Sequence, residues 1–222
     1  MKAQLGTFRA VIFDCDGVLV DSERPGLRSL QQALREAGVD RSLDYLARFS
    51  GRSHGETLAE LEAESGVSLM AAGVARRMDD CYIRLVTEVG LDPCPGVSEM
   101  LSWLTTRQIP FTLASSGPRR KVHFSLQSSG LLQAFPRYVC GDDVARAKPE
   151  PDVYLSAARL LAAEPGTCLA IEDAPNGVRA ARAAGMEVVA VTTSFKAAEL
   201  KDADLVVDSL TDLPQYLPGY RS

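Results

Sequence analysis

Apolar positions along the chain follow two rhythms. Short, nearly unbroken apolar runs recur at 10–13, 111–115, 138–140, 168–171, 188–192 and 205–207, the pattern of strands covered on both faces. Between the later runs, apolar residues return at helical spacing over 97–107, 121–129, 152–163 and 176–184. Strand alternating with helix implies right-handed crossovers and a parallel sheet. The expected fold is therefore α/β, with a doubly wound parallel sheet.

One stretch breaks this alternation. From Ser22 to about Pro93 the apolar residues keep helical spacing (Leu27, Leu30, Ala33 and Leu34, then Leu58 and Leu61, then Val74, Met78 and Ile83), and no strand pattern intervenes. The expectation is a Rossmann-like core domain formed by residues 1–20 and 95–222, with an inserted helical-bundle cap domain at 21–94. Hinges are expected at 19–23 and at 92–96, where LDPCPG brings two prolines and a glycine. The closing LPGYRS reads as an untethered tail.

Composition narrows the range of functions. The 222 residues are 46% hydrophobic, enough for a packed core, and the formal net charge is −5 with no long basic run. Neither nucleic acid nor an anionic membrane surface is an expected partner. No apolar stretch reaches the roughly 18 residues of a membrane span, and MKAQLGTFRAVIFDCD has too short an apolar run for a signal peptide. Five scattered cysteines without a CxxC pair read as reduced packing residues. A cytoplasmic protein is expected.

The chemistry concentrates where apolar runs end. In VIFDCDGVLVDSE two aspartates, Asp14 and Asp16, follow the first run. Side chains two apart on extended backbone point the same way, about 6–7 Å apart, and Gly17 allows the chain to turn away. A second acidic pair, Glu172 and Asp173, ends the run in LAIEDAPNG. In open parallel sheets such ends form the ligand edge. Carboxylates about 6 Å apart repel by roughly 3 kcal/mol at an effective dielectric of about 20, so protons or a cation must offset them. An all-oxygen site without histidine suits Mg²⁺ better than zinc. FTLASSG adds Ser115, Ser116 and Gly117 as an anion-holding turn. ARAKPEPD adds Lys148 as a cation fixed in an extended segment by Pro149 and Pro151. Nucleophile, metal, hydroxyl and cation together describe phosphoryl transfer.

FDCDGVLVDSE, LASSG, AKPEPDVY and IEDAPNGVRAARAAGM, in this order and with helices after the first, resemble the haloacid dehalogenase superfamily, in particular its β-phosphoglucomutase and sugar-phosphate phosphatase branch. The resemblance implies that Asp14 attacks phosphorus to form an aspartyl phosphate. Asp16 is then the residue that protonates the leaving alcohol and activates water, with its backbone carbonyl on the metal. Ser115 and Lys148 hold the phosphate, and Asp173 ligates Mg²⁺ with Glu172 beside it. Dehalogenase and phosphonate-cleaving relatives generally lack the second aspartate, whereas a sugar alkoxide needs its proton. The implied substrate is a small phosphorylated metabolite: a sugar, sugar-alcohol or sugar-acid phosphate.

Two readings stay open for FSGRSHGETL. By resemblance it is the cap loop over the substrate, where Arg52 and His54 bind substrate groups; by composition alone it is a polar interhelical turn. His123 reads as lying on an ordinary helix face, and Arg76 and Arg77 read as solvated charges, the alternative being that they reach the cleft from another cap helix. Family mutases usually carry a threonine and, four residues later, a histidine after the first motif; Ser22 and Gly26 stand there. This favours a phosphatase over a β-phosphoglucomutase, with a non-catalytic phosphate-binding protein as a third reading.

Overall fold

The computed structural model describes residues 5–50, 52 and 54–217. Residues 1–4, positions 51 and 53 of the FSGRSHGETL stretch, and all of the LPGYRS tail after Leu217 lie outside the described residues. The chain runs β1 (Ala10–Phe13), α1 (Glu23–Glu36), α2 (Leu43–Leu46), α3 (His54–Ser65), α4 (Val74–Val89) and α5 (Val97–Thr106). It continues as β2 (Phe111–Leu113), α6 (Arg119–Ser128), α7 (Asp152–Leu160), β3 (Cys168–Glu172), α8 (Pro175–Ala183), β4 (Glu187–Val191) and β5 (Leu205–Val207).

The five strands pair in parallel in the order β2-β1-β3-β4-β5. Because successive side chains face opposite ways, each strand feeds two cores. Val11, Phe13, Leu169, Ile171, Val189 and Val191 pack with α5 and α6, while Ala10, Ile12, Ala170, Val188 and Ala190 pack with α7 and α8. Both faces of the sheet are covered by helices, which explains why the strands read as continuous apolar runs.

Register fixes the functional edge. Phe13 is level with Leu113 on one side and Ile171 on the other. The residues that follow β1, β2 and β3 therefore emerge together, placing Asp14 beside Glu172 and close to Ser115.

The strand expected at 138–140 is not one. Val139 makes a single parallel bridge to Ala114, accepting from Ser115 N–H at 3.0 Å and donating to Leu113 O at 3.1 Å. Beyond it, the Asp143 carboxylate accepts from Cys140 N–H at 2.7 Å and turns the chain away. The chain turns away after Val139 has made its one bridge, so no ladder continues.

The helices α1–α4 have a core of their own, built from Leu30, Ala33, Leu34, Leu46, Phe49, Leu58, Leu61, Leu69, Val74 and Met78. Helix α4 belongs to two cores. Its residues at four-residue spacing form one stripe, with Val74 and Met78 in the helical cluster and Tyr82 and Val86 in the sheet cluster. Tyr82 Oη and Ser125 Oγ of α6 share a buried hydrogen bond of 2.9 Å, and Arg120 pairs with Asp80 at 2.6 Å. The two connections to the sheet lie side by side: Cys94 N–H donates to Leu19 O at 3.0 Å and Asp21 N–H to Asp92 O at 3.1 Å.

Candidate active site

Asp14 leaves β1 nearly buried, and Lys148 reaches it with Nζ 2.5 Å from Oδ1. The same ammonium donates to Glu172 Oε1 at 2.6 Å and to Ala114 O at 3.0 Å. Lys148 is held differently from the sequence expectation. Its segment is a tight turn, closed by Glu150 N–H donating to Ala147 O at 3.0 Å, with a cis Lys148–Pro149 peptide, instead of an extended stretch.

Glu172 is the most fully satisfied group of the site. Oε1 also accepts from Tyr154 Oη at 2.6 Å, and Oε2 accepts from the backbone N–H groups of Asp173 and Ala174 at 3.1 and 3.4 Å. Gly177, one turn into α8, leaves the room this carboxylate occupies; a Cβ there would lie 1.9 Å from Oε1. Asp173 turns toward β4, where the Ser194 hydroxyl donates to it. Gly17 adopts φ 76°, and a Cβ at that position would lie 1.9 Å from Asp173 Oδ2. The glycine after the aspartate pair is thus needed for both its backbone and its missing side chain.

Oxygens of Asp14, Glu172 and Asp173 lie within 4.8 Å of one another, all three residues buried. Three carboxylates face one ammonium, so negative charge is in excess. Burial raises the Asp14 carboxyl to about 7 against the pull of Lys148, with Glu172 and Asp16 pushing the same way. Burial also raises Asp173 well above the usual carboxylate range, with Asp14 and Glu172 adding to it. A compact, buried, all-oxygen cluster with surplus charge fits a hard divalent cation. Asp14 and Asp173 hold the less engaged oxygens; those of Glu172 are occupied by protein donors.

Asp16 lines the same cavity as these three carboxylates but is not part of their cluster. Its Oδ1 accepts from the Ser22 hydroxyl and from Lys121 Nζ, the latter at 2.8 Å. Burial works to raise the Asp16 carboxyl, but Lys121 and Ser22 outweigh it and hold it below the ordinary value. Lys121 itself lies over the Tyr82 ring, 4.8 Å from its centroid.

Ser115 is buried, its Oγ accepting from Gly117 N–H at 3.0 Å, which forms the turn expected after β2. Ser116 Oγ is buried without a hydrogen-bond partner. Both serines and Gly117 line the cavity between the sheet edge and α1–α4, as do Asp14, Asp16, Lys148, Glu172 and Asp173. Arg52 and His54 line it from the other side. The Arg52 guanidinium is already paired with Glu60 at 2.7 Å. Burial lowers His54 to about 4, with Lys121 adding to the effect and Asp16 opposing it, so its ring is neutral near pH 7. His123 is away from the cavity, its Nδ1 3.0 Å from Tyr138 Oη.

Lys121, Tyr154 and Ser194 also belong to the site and do not stand out in the sequence motifs. Ser194 nevertheless carried a readable signal, since the polar run TTS (192–194) follows β4 just as the other polar clusters follow their strands. Lys121 and Tyr154 lie on helices, where only packing decides which polar residue turns inward. No helix among the described residues is long and apolar enough to cross a membrane.

The haloacid dehalogenase-like hydrolase family model matches residues 11–191. Validoxylamine A 7'-phosphate phosphatase of Streptomyces hygroscopicus subsp. limoneus is 32% identical over 93% of this chain and 96% of its own. Hexitol phosphatase A of Escherichia coli is 32% identical over 92% of this chain and 93% of its own. The crystal structure of β-phosphoglucomutase from Clostridium difficile superposes with a TM-score of 0.82 at 25% identity, covering 93% of both chains. The family match begins in β1, just before the aspartate pair, and ends with β4, spanning every strand end that contributes to the acidic cluster; this chain belongs to the haloacid dehalogenase-like hydrolases.

Proposed function

We propose that the protein is a phosphatase of small phosphorylated carbohydrates that uses a divalent cation, Mg²⁺ by its oxygen-only donor set, and passes through an aspartyl phosphate on Asp14. The observation that carries this reading is the meeting of Asp14, Glu172 and Asp173 around Lys148 at one sheet edge, with Asp16 two residues beyond the nucleophile. The names of the two phosphatase relatives support the same class.

Asp14 attacks phosphorus as the bond to the leaving oxygen breaks. Lys148 and Ser115 stand where the phosphoryl oxygens gather, and Asp173 and Asp14 would hold the cation, with the Asp16 carbonyl and Glu172 beside them. When bound, the cation supplies positive charge that offsets the carboxylates and the charge developing on phosphorus. Asp16 gives its proton to the leaving oxygen, then takes one from the water that cleaves the aspartyl phosphate. Its carboxylate form, favoured by Lys121 and Ser22, suits the second step; an arriving phosphate brings negative charge that favours the protonated form for the first.

Residues 21–94 act as the cap, with hinges in the paired connections near Leu19 and Cys94. Gly26 supports a phosphatase over a mutase. It lines the same cavity as Asp16, and a Cβ there would meet nothing within 4 Å, so this position leaves open space where a larger side chain would stand. Five free, buried cysteines accord with a reducing cytoplasmic setting. The test is phosphate release from a panel of phosphorylated carbohydrates with and without Mg²⁺, beside conversion of β-glucose 1-phosphate to glucose 6-phosphate. Mg²⁺-dependent release is expected; isomerisation without release would overturn the assignment.

A further inference from the structure

The cavity beside Asp14 encloses about 170 Å³ and opens into an outer groove of about 820 Å³. Three residues line both: His54 from α3, Asp79 from α4 and Ser116 from the turn after β2. The cavity also meets a smaller groove of about 370 Å³ across Ser50, Arg52 and Ala174; a leaving group that extends into the larger groove passes between His54, Asp79 and Ser116. Two of the three present buried polar atoms with no hydrogen-bond partner, Asp79 Oδ1 and Ser116 Oγ. An unsatisfied buried acceptor of this kind is costly unless a ligand completes it.

The charges around Asp79 do not complete it. Lys121 and Arg120 attract it through space, and Asp80 and Asp142 repel it. Both cations commit their hydrogen bonds elsewhere, Lys121 to Asp16 at 2.8 Å and Arg120 to Asp80 at 2.6 Å. Arg76, the other cation of the outer groove, is exposed at its rim.

Resting on the phosphatase reading above, we infer that Asp79 is a specificity-determining residue which accepts hydrogen bonds from amino or hydroxyl groups of the leaving group and rejects leaving groups carrying a carboxylate. Ser116 is the neutral partner that takes a second hydroxyl. Of the sugar, sugar-alcohol and sugar-acid phosphates that suit the phosphoryl site, the acids are excluded by like charge.

The experiment compares kcat/KM for glucosamine phosphate, glucitol phosphate and gluconate phosphate in the native protein and in Asp79→Asn, with an aryl phosphate beside them. The native order is amine, then polyol, then acid. Asp79→Asn lowers the amine-to-acid ratio by about 10- to 100-fold, the range for a hydrogen bond to a charged group. A ratio is insensitive to any shared loss of active protein, and Asp79→Lys, moving preference toward the acid, provides a second reading. A native preference for gluconate phosphate, or a ratio within about twofold of native in both variants, overturns the inference while aryl phosphate turnover leaves the phosphatase reading standing. Absence of turnover on every ester, the aryl phosphate included, overturns both.

Discussion

The two walls of the cavity are built on opposite terms. On the sheet side, charged groups are buried and bound to one another: Lys148 serves Asp14, Glu172 and the Ala114 carbonyl, and Glu172 accepts from four protein donors. On the helical side Asp79 keeps an acceptor without a partner, and Arg52 is paired at its own surface with Glu60. A preorganised wall suits a phosphoryl group common to every substrate. An incompletely satisfied wall suits the part of the substrate that varies.

The largest expected difference between the walls is in activity. In the proposed mechanism Asp14→Asn removes the nucleophile and should lower turnover by at least about 1,000-fold on every phosphate ester, whereas changes at Asp79 should redistribute activity among substrates. Steady-state kinetics on the same panel checks both; an Asp14→Asn variant retaining a tenth of native turnover would break the comparison.

Stability provides the next test. Lys148 is 5% exposed and sits between carboxylates that are 11% and 1% exposed. Lys148→Ala leaves those charges uncompensated and should cost about 3–5 kcal/mol in urea unfolding. Mg²⁺ should restore more stability to this variant than to the native protein, because it meets a larger surplus of negative charge. A cost below about 1 kcal/mol would show that the sheet wall is not electrostatically built.

A pH effect follows from the raised carboxyls. Asp14 binds a proton up to about pH 7 in the folded chain, while an unfolded aspartate releases it near pH 3.9. The folded state holds more protons through that window, so this site's contribution to stability without cation falls as pH rises from about 4 to about 7. A divalent cation displaces those protons, and its stabilising effect should be larger at pH 8 than at pH 5. Thermal melts with and without Mg²⁺ at both values check this; a larger gain at pH 5 would contradict the sign.

The smallest effect lies at the junction of the walls. Tyr82→Phe removes the 2.9 Å bond to Ser125 and should cost about 1 kcal/mol. It should also raise KM more than it lowers kcat, since the bond ties α4 to α6 and not to the reacting atoms. Equal proportional changes in both constants would contradict a role for Tyr82 confined to tying α4 to α6.

The same contrast explains what the sequence made legible. Parallel strands covered on both faces leave unbroken apolar runs, and a carboxylate at the end of such a run stands out, so Asp14, Asp16, Glu172 and Asp173 could be read as a set. At 138–140 the same rule failed, because three apolar residues look like a strand whether or not a ladder forms. Pro149 identified Lys148 as fixed but did not reveal a turn. Lys121 and Asp79 were hidden in RRK and RRMDD, runs whose composition matches a solvated helix face. Which member of such a run turns inward depends on how α4 and α6 pack, a long-range fact that local spacing does not carry.

The central claim is that Asp14 and a divalent cation together form one phosphoryl site. Melting of the native protein and of Asp14→Asn with Mg²⁺, with beryllium fluoride, and with both tests it most directly, since a mimic bound only by the folded state raises Tm. The account predicts a Tm rise with both reagents together that greatly exceeds either alone and disappears in Asp14→Asn. An equal rise in the variant, or a full rise without Mg²⁺, would contradict it.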